Sequence, residues 1–443
     1  MDKTKLKINK ERLERNLYEL GKIGRNEHGG IDRALGSKED LLAREWLRAY
    51  WEDKMGLKVR HDAIANMWVL YDSKLQENTT GRPSGNTNKN TKEGSLREYQ
   101  PLPPIVIGSH HDAVPDGGMY DGALGVLGAT EIVETLMEAG VKLNHPIEIV
   151  SFTGEEPNPY NVSTLGSKVL SGRLVREDLE KLTSYIDGSP LSECISAAGG
   201  DIEKAEEALI KPGEIDSFIE LHIEQGRRLF DRGLTSASVN CITGIYRENI
   251  TVHGEANHAG TTVMDNRHDA FLAAGEFALG YEKIIKEEHR DDVVGTIGYV
   301  KVSPNAASII PGSVELILEL RCCSEEIRQR VKAGVDVLTK EIDEKRGVTI
   351  ERKLNLDQKE MSMDPEVIAA IDQGIAIMGQ EPVTLVSMAG HDAANMARVT
   401  RSAMIFVQSI NGKSHCPEEA TDINRIEETV NGMLQAVLIL DDK

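Results

Sequence analysis

Histidine, aspartate and glutamate gather at four places along this chain, each on or just after a short apolar run. Ile105-Val-Ile-Gly108 leads into Ser109-His110-His111-Asp112, and Asp121 follows in Tyr120-Asp-Gly122. The carboxylate pair Glu155-Glu156 follows Ile147–Phe152, His222 ends the run that starts Phe218-Ile-Glu-Leu, and His415 lies in the loop after Ala403–Val407. Imidazole nitrogens mixed with carboxylate oxygens are the ligand set of Zn²⁺ or Mn²⁺, whereas oxygen-only sets suit Mg²⁺ or Ca²⁺. Two metals that share a bridging carboxylate need about five protein ligands. Asp121, Glu156, His222, His415 and one of His110 and His111 make up that number. Glu155 is then left beside them, as a base for a metal-bound water whose pKa falls to about 7. Spacing does not choose between His110 and His111, because alternate residues of an extended segment face opposite ways. Taken singly, each residue has a plainer reading: a solvated turn for Asp121, a loop Asp for Asp112, a helix start for Glu155-Glu156, a satisfied histidine elsewhere. Convergence on one edge carries the metal reading.

That convergence needs a scaffold. Ile105–Gly108, Ile147–Phe152 and Phe218–Leu221 are short buried strands, the first two separated by a helix over Gly125–Ala139. Such an order indicates parallel pairing in an α/β layer, whose ligand sites lie beyond the carboxyl ends of the strands. Helices are expected over Leu13–Ile23 and from Ser37, where Asp40 three residues later forms a capping box. Asn66–Tyr71 and Pro382–Val386 read as further strands, and a last helix carries Ile426, Val430 and Leu434. Residues 73–100, rich in Asn, Thr, Gly and Lys, read as a flexible surface insertion. Between 241 and 357 the order changes to βαββαβ: Arg247–His253, a helix over His268–Glu288, Val293–Val302, Val314–Leu320, a helix over Ser324–Lys345, and Val348–Leu354. The expected fold is therefore α/β. A catalytic domain with a mixed central sheet flanked by helices (1–240 and 358–443) is interrupted by a smaller two-layer domain (241–357).

Composition bounds the rest. In 443 residues, 51 Lys and Arg face 72 Asp and Glu, a net charge of −21 that argues against a phosphate-backbone partner. With 40% apolar residues the chain is no disordered segment, and no apolar run reaches the ~18–20 residues of a membrane span. Five cysteines without metal-type spacing read as free thiols in a reducing cytoplasm.

The motifs carry a resemblance. The chain resembles the amidase, hydantoinase/carbamoylase family of the di-metal aminoacylase–carboxypeptidase superfamily, which includes N-carbamoyl-L-amino acid hydrolases and allantoate and ureidoglycolate amidohydrolases. The matching stretches are Gly108–Gly125, Ser151–Gly166, Glu220-Leu-His-Ile-Glu-Gln-Gly226, Asn257-His-Ala-Gly-Thr-Thr262, Pro304–Gly312, Ala389-Gly-His-Asp392 and Ser414-His-Cys-Pro-Glu-Glu419. The resemblance implies two divalent metal ions per subunit, zinc or manganese, with cobalt or nickel as further candidates. It implies His110, Asp121 and His222 around one, and Asp121, Glu156 and His415 around the other. Asp112 would orient His110, and Glu155 would be the general base. The small domain would act as lid and as homodimer interface, with His258 stabilising the oxyanion across the dimer. Gln225, Asn257, Ser308, Arg321 and Gly390 match positions that contact substrate, and the Arg321 guanidinium suits an α-carboxylate. The reaction implied is hydrolysis of a linear amide or ureido C–N bond of an N-carbamoyl-L-amino acid by a metal-bridged hydroxide.

Two departures bear on the substrate. The family usually has Asn at the position of Ser308, and Ser lacks the amide's paired donor and acceptor. Pro157-Asn-Pro-Tyr160 follows Glu156 where many carbamoylases carry an arginine, which is more similar to the ureidoglycolate branch. Ureidoglycolate or allantoate hydrolysis is thus the alternative, followed by dipeptidase or N-acyl-amino-acid deacylase activity and by a non-catalytic scaffold.

Overall fold

The computed structural model describes residues 2–75 and 101–443. The insertion expected at 73–100 falls, apart from its first residues, outside them. Contacts divide the chain into two units. One comprises the residues up to Asn240 with Met363–Leu385 and His391–Lys443; the other is Cys241–Ser362 with Val386–Gly390.

In the first unit the strands are β1 (Ile31–Arg33), β2 (Val59–His61), β3 (Met67–Tyr71), β4 (Ile105–His110), β5 (Ala113–Gly117), β6 (Ile147–Phe152), β7 (Ser217–Ile223) and β8 (Ser236–Ile242). Beyond the second unit's β9 (Gly244–His253), β10 (Val294–Ser303), β11 (Ser313–Cys322), β12 (Thr349–Gln358) and β13 (Met361–Ser362), the chain adds β14 (Thr384–Ser387) and β15 (Arg401–Val407). The central sheet runs β8-β15-β7-β4-β6-β3-β2. Its middle is parallel, with β15 on β7 and β4 on both β7 and β6, and its outer strands β3 and β8 are antiparallel. Every residue of β4, β6 and β7 is buried, the pattern of strands covered on both faces. Parallel pairing brings the carboxyl ends of β4, β6, β7 and β15 to one edge.

The helix expected over Gly125–Ala139 spans Ala123–Glu138 and is buried nearly all round rather than amphipathic. It packs on β4, β6 and β7 and is covered by Lys10–Leu20 and Ile423–Asp441, so no face needs to meet water. The Ser37 cap forms as expected, its hydroxyl accepting from the Asp40 N–H at 3.0 Å. The other half of the capping box is displaced: Asp40 Oδ2 accepts the N–H of Gly36 rather than that of Ser37, and Oδ1 faces His111 and Arg44. β8 and the small β1–β5 ribbon are additions to the expected elements. No helix among the described residues is long and apolar enough to cross a membrane.

The second unit has the βαββαβ order. Its antiparallel sheet, β10-β11-β9-β12, carries the helices Ala270–Lys286 and Glu325–Arg346 over a core of Val314, Leu316, Leu318, Leu320 and their partners. Strict alternation along β11 puts Glu319 and Arg321 on the face opposite that core. The expectation of five free thiols is corrected here. Cys241 and Cys323 form a disulfide with Cα atoms 6.3 Å apart, and Cys194, Cys322 and Cys416 remain free. Sequence spacing hid the pair because 82 residues separate its members, which the fold brings together where β8 leads into β9 and where β11 ends.

Candidate metal centre

His110 is the last residue of β4 and is 1% exposed. Its Nδ1 lies 3.1 Å from the Asp112 main-chain oxygen, an acceptor, so Nδ1 carries the proton and Nε2 presents a lone pair. That Nε2 is buried without a hydrogen-bond partner among the described residues, 3.6 Å from Asp121 Oδ1 and 3.7 Å from Glu155 Oε2. His111 faces the other way, as an extended strand requires. Its Nδ1 lies 2.7 Å from Ser151 Oγ and its Nε2 2.9 Å from Asp40 Oδ1. The fold thus turns His110, and not His111, towards the acidic cluster.

The rest of the cluster follows from the neighbouring strand ends. Asp112 accepts the N–H groups of Glu155 and Glu156 at 3.2 and 3.1 Å, which fixes the loop after β6. His222, near the end of β7, points Nδ1 at the Ile223 carbonyl and Nε2 at Asp121 Oδ1, 3.1 Å away. His415 Nε2 lies 3.3 Å from both Asp121 Oδ2 and Glu156 Oε1. Ligand-type atoms fall into three overlapping groups, each within 4.8 Å: His110–Asp121–His222, His110–Glu155–Glu156 and Asp121–Glu156–His415. Asp121 offers one oxygen to each of two groups, which is what a bridging carboxylate requires.

Two buried atoms of this cluster, His110 Nε2 and Glu156 Oε1, lack hydrogen-bond partners among the described residues. A buried orphan polar atom is costly unless something else satisfies it, and two lone-pair atoms in one cluster, an imidazole nitrogen and a carboxylate oxygen, fit a cation. Charge points the same way. Burial pushes Glu155 well above the usual carboxylate range, with His110 opposing and Glu156 and Asp392 adding to it. Burial would lower His110, but Asp112, Glu155 and Asp121 hold it well above 6.5. His415 is raised to about 11 by the adjoining carboxylates of Asp121 and Glu156. The carboxylates thus draw protons onto the imidazoles, the positive charge that a metal would replace. The residues present fit divalent metal on this ground, and His110, Asp121, Glu156, His222 and His415 could hold it.

The backbone is specialised around them. Gln225 and His415 have φ of 56° and 55°, a left-handed conformation uncommon for residues other than glycine. Gly122 has φ 62°, and a Cβ there would lie 2.3 Å from His110 Cε1. Gln225 donates through Nε2 to Asp121 Oδ2 at 2.7 Å, while its Oε1 is buried without a partner among the described residues.

Asn257, His258, Ser308, Arg321 and Gly390 belong to the second unit and are described within it. His258 Nδ1 accepts the N–H groups of Gly260 and Thr261 at 3.0 and 3.2 Å, which places its proton on the outward Nε2. Asn257 Oδ1 accepts the His258 N–H, and the Ser308 carbonyl accepts from Ala259, so these three residues share one turn region. Arg321 Nη1 donates to the Met388 carbonyl, two residues before Gly390.

Residues that spacing did not single out complete the first unit's site. The His391 ring lies 4.5 Å from that of His222. Glu220 accepts from Ser109 Oγ and from the Ala393 N–H, both at 2.8 Å. Glu419 accepts the N–H groups of Tyr120 and Asp121. All three lie inside quoted motif stretches, and that was their only sequence signal.

Comparison with known proteins places the chain. Peptidase family M20/M25/M40 matches over residues 106–438. An N-carbamoyl-L-amino acid amidohydrolase of Geobacillus stearothermophilus is 34% identical over 412 residues, 93% of this chain and 94% of that protein. A ureidoglycolate hydrolase of Arabidopsis thaliana is 32% identical over 436 residues, covering 97% and 85%. A crystal structure of an amidase of the hydantoinase/carbamoylase family from Burkholderia multivorans superposes with a TM-score of 0.84 over 99% of each chain, at 27% identity. The chain belongs to peptidase family M20/M25/M40, within which its similar relatives are hydantoinase/carbamoylase-type amidohydrolases.

Proposed function

We propose that this protein is a di-metal amidohydrolase that cleaves the ureido C–N bond of an N-carbamoyl-L-amino acid or a related ureido acid. The observation that carries the reading is the orphaned His110 Nε2 among Asp121, Glu155 and His222 at one sheet edge. His110, Asp121 and His222 would hold one ion, and Asp121, Glu156 and His415 the other. Bound zinc or manganese supplies Lewis acidity and lowers the pKa of water there. Asp112 holds His110 in the tautomer that leaves Nε2 for the metal and fixes the Glu155-Glu156 loop. Glu155, whose carboxylate burial makes a stronger base, accepts the proton of the attacking water and delivers it to the departing nitrogen. His258 donates from Nε2 to the developing oxyanion. Gln225, Asn257, Ser308 and Gly390 contact the substrate's polar groups, and Arg321 takes its carboxylate.

The substrate is a small molecule, and the second unit joins two copies into a homodimer. The exposed apolar residues of β10 (Val294, Tyr299 and Val300) support that role, on a sheet-edge strand with one side unpaired. Localisation in the cytoplasm was expected on the ground of free thiols and loses that ground to the Cys241–Cys323 pair.

Ureidoglycolate hydrolysis is the second reading, supported by the 32% identity to the Arabidopsis protein and by the Pro157–Tyr160 turn. The deciding experiment strips the protein with a chelator, restores Mn²⁺ or Zn²⁺, and measures ammonia release from N-carbamoyl amino acids, ureidoglycolate and allantoate. N-acyl amino acids and dipeptides serve as the opposing panel. Turnover confined to that opposing panel overturns the proposal.

A further inference from the structure

Arg321 does not stand alone on the uncovered face of the second unit's sheet. Glu319 precedes it by two residues on β11, so both side chains project from the same face. Arg247 on β9 is the register partner of Glu319 and joins them there. The Glu319 carboxylate divides its oxygens between the two guanidinium groups. Oε1 accepts from Arg321 Nε at 2.7 Å and Oε2 from Arg247 Nε at 2.5 Å.

This division has a chemical consequence. Each arginine uses its Nε edge on Glu319, and Arg321 also gives Nη1 to the Met388 carbonyl at 2.8 Å. Arg321 Nη2 and both terminal nitrogens of Arg247 have no partner among the described residues. Two guanidinium groups against one carboxylate leave one net positive charge, on a chain whose total is −21. The three side chains are between 22% and 38% exposed, open enough to meet a ligand and sheltered enough for charge-assisted bonds to count.

We propose that Arg247 and Arg321, spaced by Glu319, form a two-guanidinium receptor for a single carboxylate, and that Arg247 is a specificity-determining residue for acidic ureido substrates. The inference rests on the reading of Arg321 as the carboxylate contact and adds the second cation and its spacer. Glu319 is a positioning residue: it orients both forks and cancels the surplus charge that would otherwise drive the two arginines apart. One bound carboxylate then brings the cluster to neutrality.

The test compares a hydrolysed ureido acid with its counterpart in which the carboxylate is a neutral carboxamide. The readout is the ratio of the two kcat/KM values. R247A is expected to lower the preference for the acid by about tenfold or more, chiefly through KM. R247K, which keeps charge without the planar fork, should recover part of it. E319Q should lower the preference as well, because Gln accepts through only one of its two terminal atoms. R321A should lower it at least as far as R247A. A preference unchanged within twofold in R247A and R247Q, with R321A still reducing it, overturns the role of Arg247 and leaves the proposed function standing. If R321A also leaves it unchanged, the carboxylate contact itself is wrong. Absence of ureido turnover by the unmodified protein overturns the proposed function first.

Discussion

The Glu419 carboxylate accepts the main-chain N–H of Asp121 at 3.1 Å, together with that of Tyr120 at 2.9 Å. It also accepts from Ser414 Oγ, one residue before His415, so a single side chain ties the loops of two candidate ligands together. A Cβ on Gly118 would lie 1.9 Å from the Glu419 carboxyl carbon, so the carboxylate is seated where only glycine leaves room. E419A should loosen both loops and weaken metal retention by about 10- to 100-fold, as outer-sphere partners of ligands typically do. E419Q, which keeps one acceptor oxygen, should lose less. Metal content by plasma mass spectrometry after graded chelation checks this, and equal retention in E419A and the unmodified protein refutes it.

Glu155 differs from its neighbour Glu156 in a way that can be measured. If Glu155 moves protons while Glu156 holds metal, E155Q should lower kcat by about 10²–10⁴-fold. Its metal content should remain that of the unmodified protein, whereas E156Q should lose metal. Turnover within a few-fold of normal in E155Q would falsify the base assignment.

Behind the cluster, Asp40 links His111 to Arg44 in a fully buried network that also engages the Ala65 carbonyl and Thr153. Burial works to raise the Asp40 pKa, but Arg44 and His111 outweigh it and hold the carboxyl well below the usual range. A carboxylate so depressed stabilises the fold at pH values above its unfolded pKa of about 3.9, and that stabilisation is lost as pH falls towards the folded pKa. D40N leaves the buried Arg44 without its counter-charge and should cost about 3 kcal/mol near neutrality. Urea unfolding of both proteins checks it: the gap should be widest near neutral pH and narrow at about pH 3. A gap that does not change with pH would show that the fold does not hold the Asp40 carboxyl below its unfolded pKa.

The Cys241–Cys323 disulfide predicts a thiol count. Denatured without reductant, the protein should react at three cysteines (Cys194, Cys322 and Cys416), and at all five after reduction. Peptide mapping should recover residues 241 and 323 in one cross-linked species. Five reactive thiols without reductant would return the chain to the reading that its composition suggested.

Much of the architecture was legible in the sequence because its signals are local. Buried parallel strands announce themselves as unbroken apolar runs, and the second unit's βαββαβ order follows from changes of hydrophobic period. The same locality explains the misses. β8 forms because β15 and β14 lie beside it, and Ala123–Glu138 is buried nearly all round because two other helices cover it.

At the site, the sequence by itself determined the set of residue types: imidazoles and carboxylates at four strand ends, a ligand set that suits a divalent cation. Tertiary structure decided which of them meet. His110 was chosen over His111 by the direction of a strand end, and Asp121 was placed between two groups by a loop that Gly122 and Glu419 hold. Arg247 was set beside Arg321 by strand register, and Cys241 beside Cys323 by the way β8, β9 and β11 come together. Each of these depends on pairing between segments far apart in the chain, and residue spacing along a single segment carries no information about its partner.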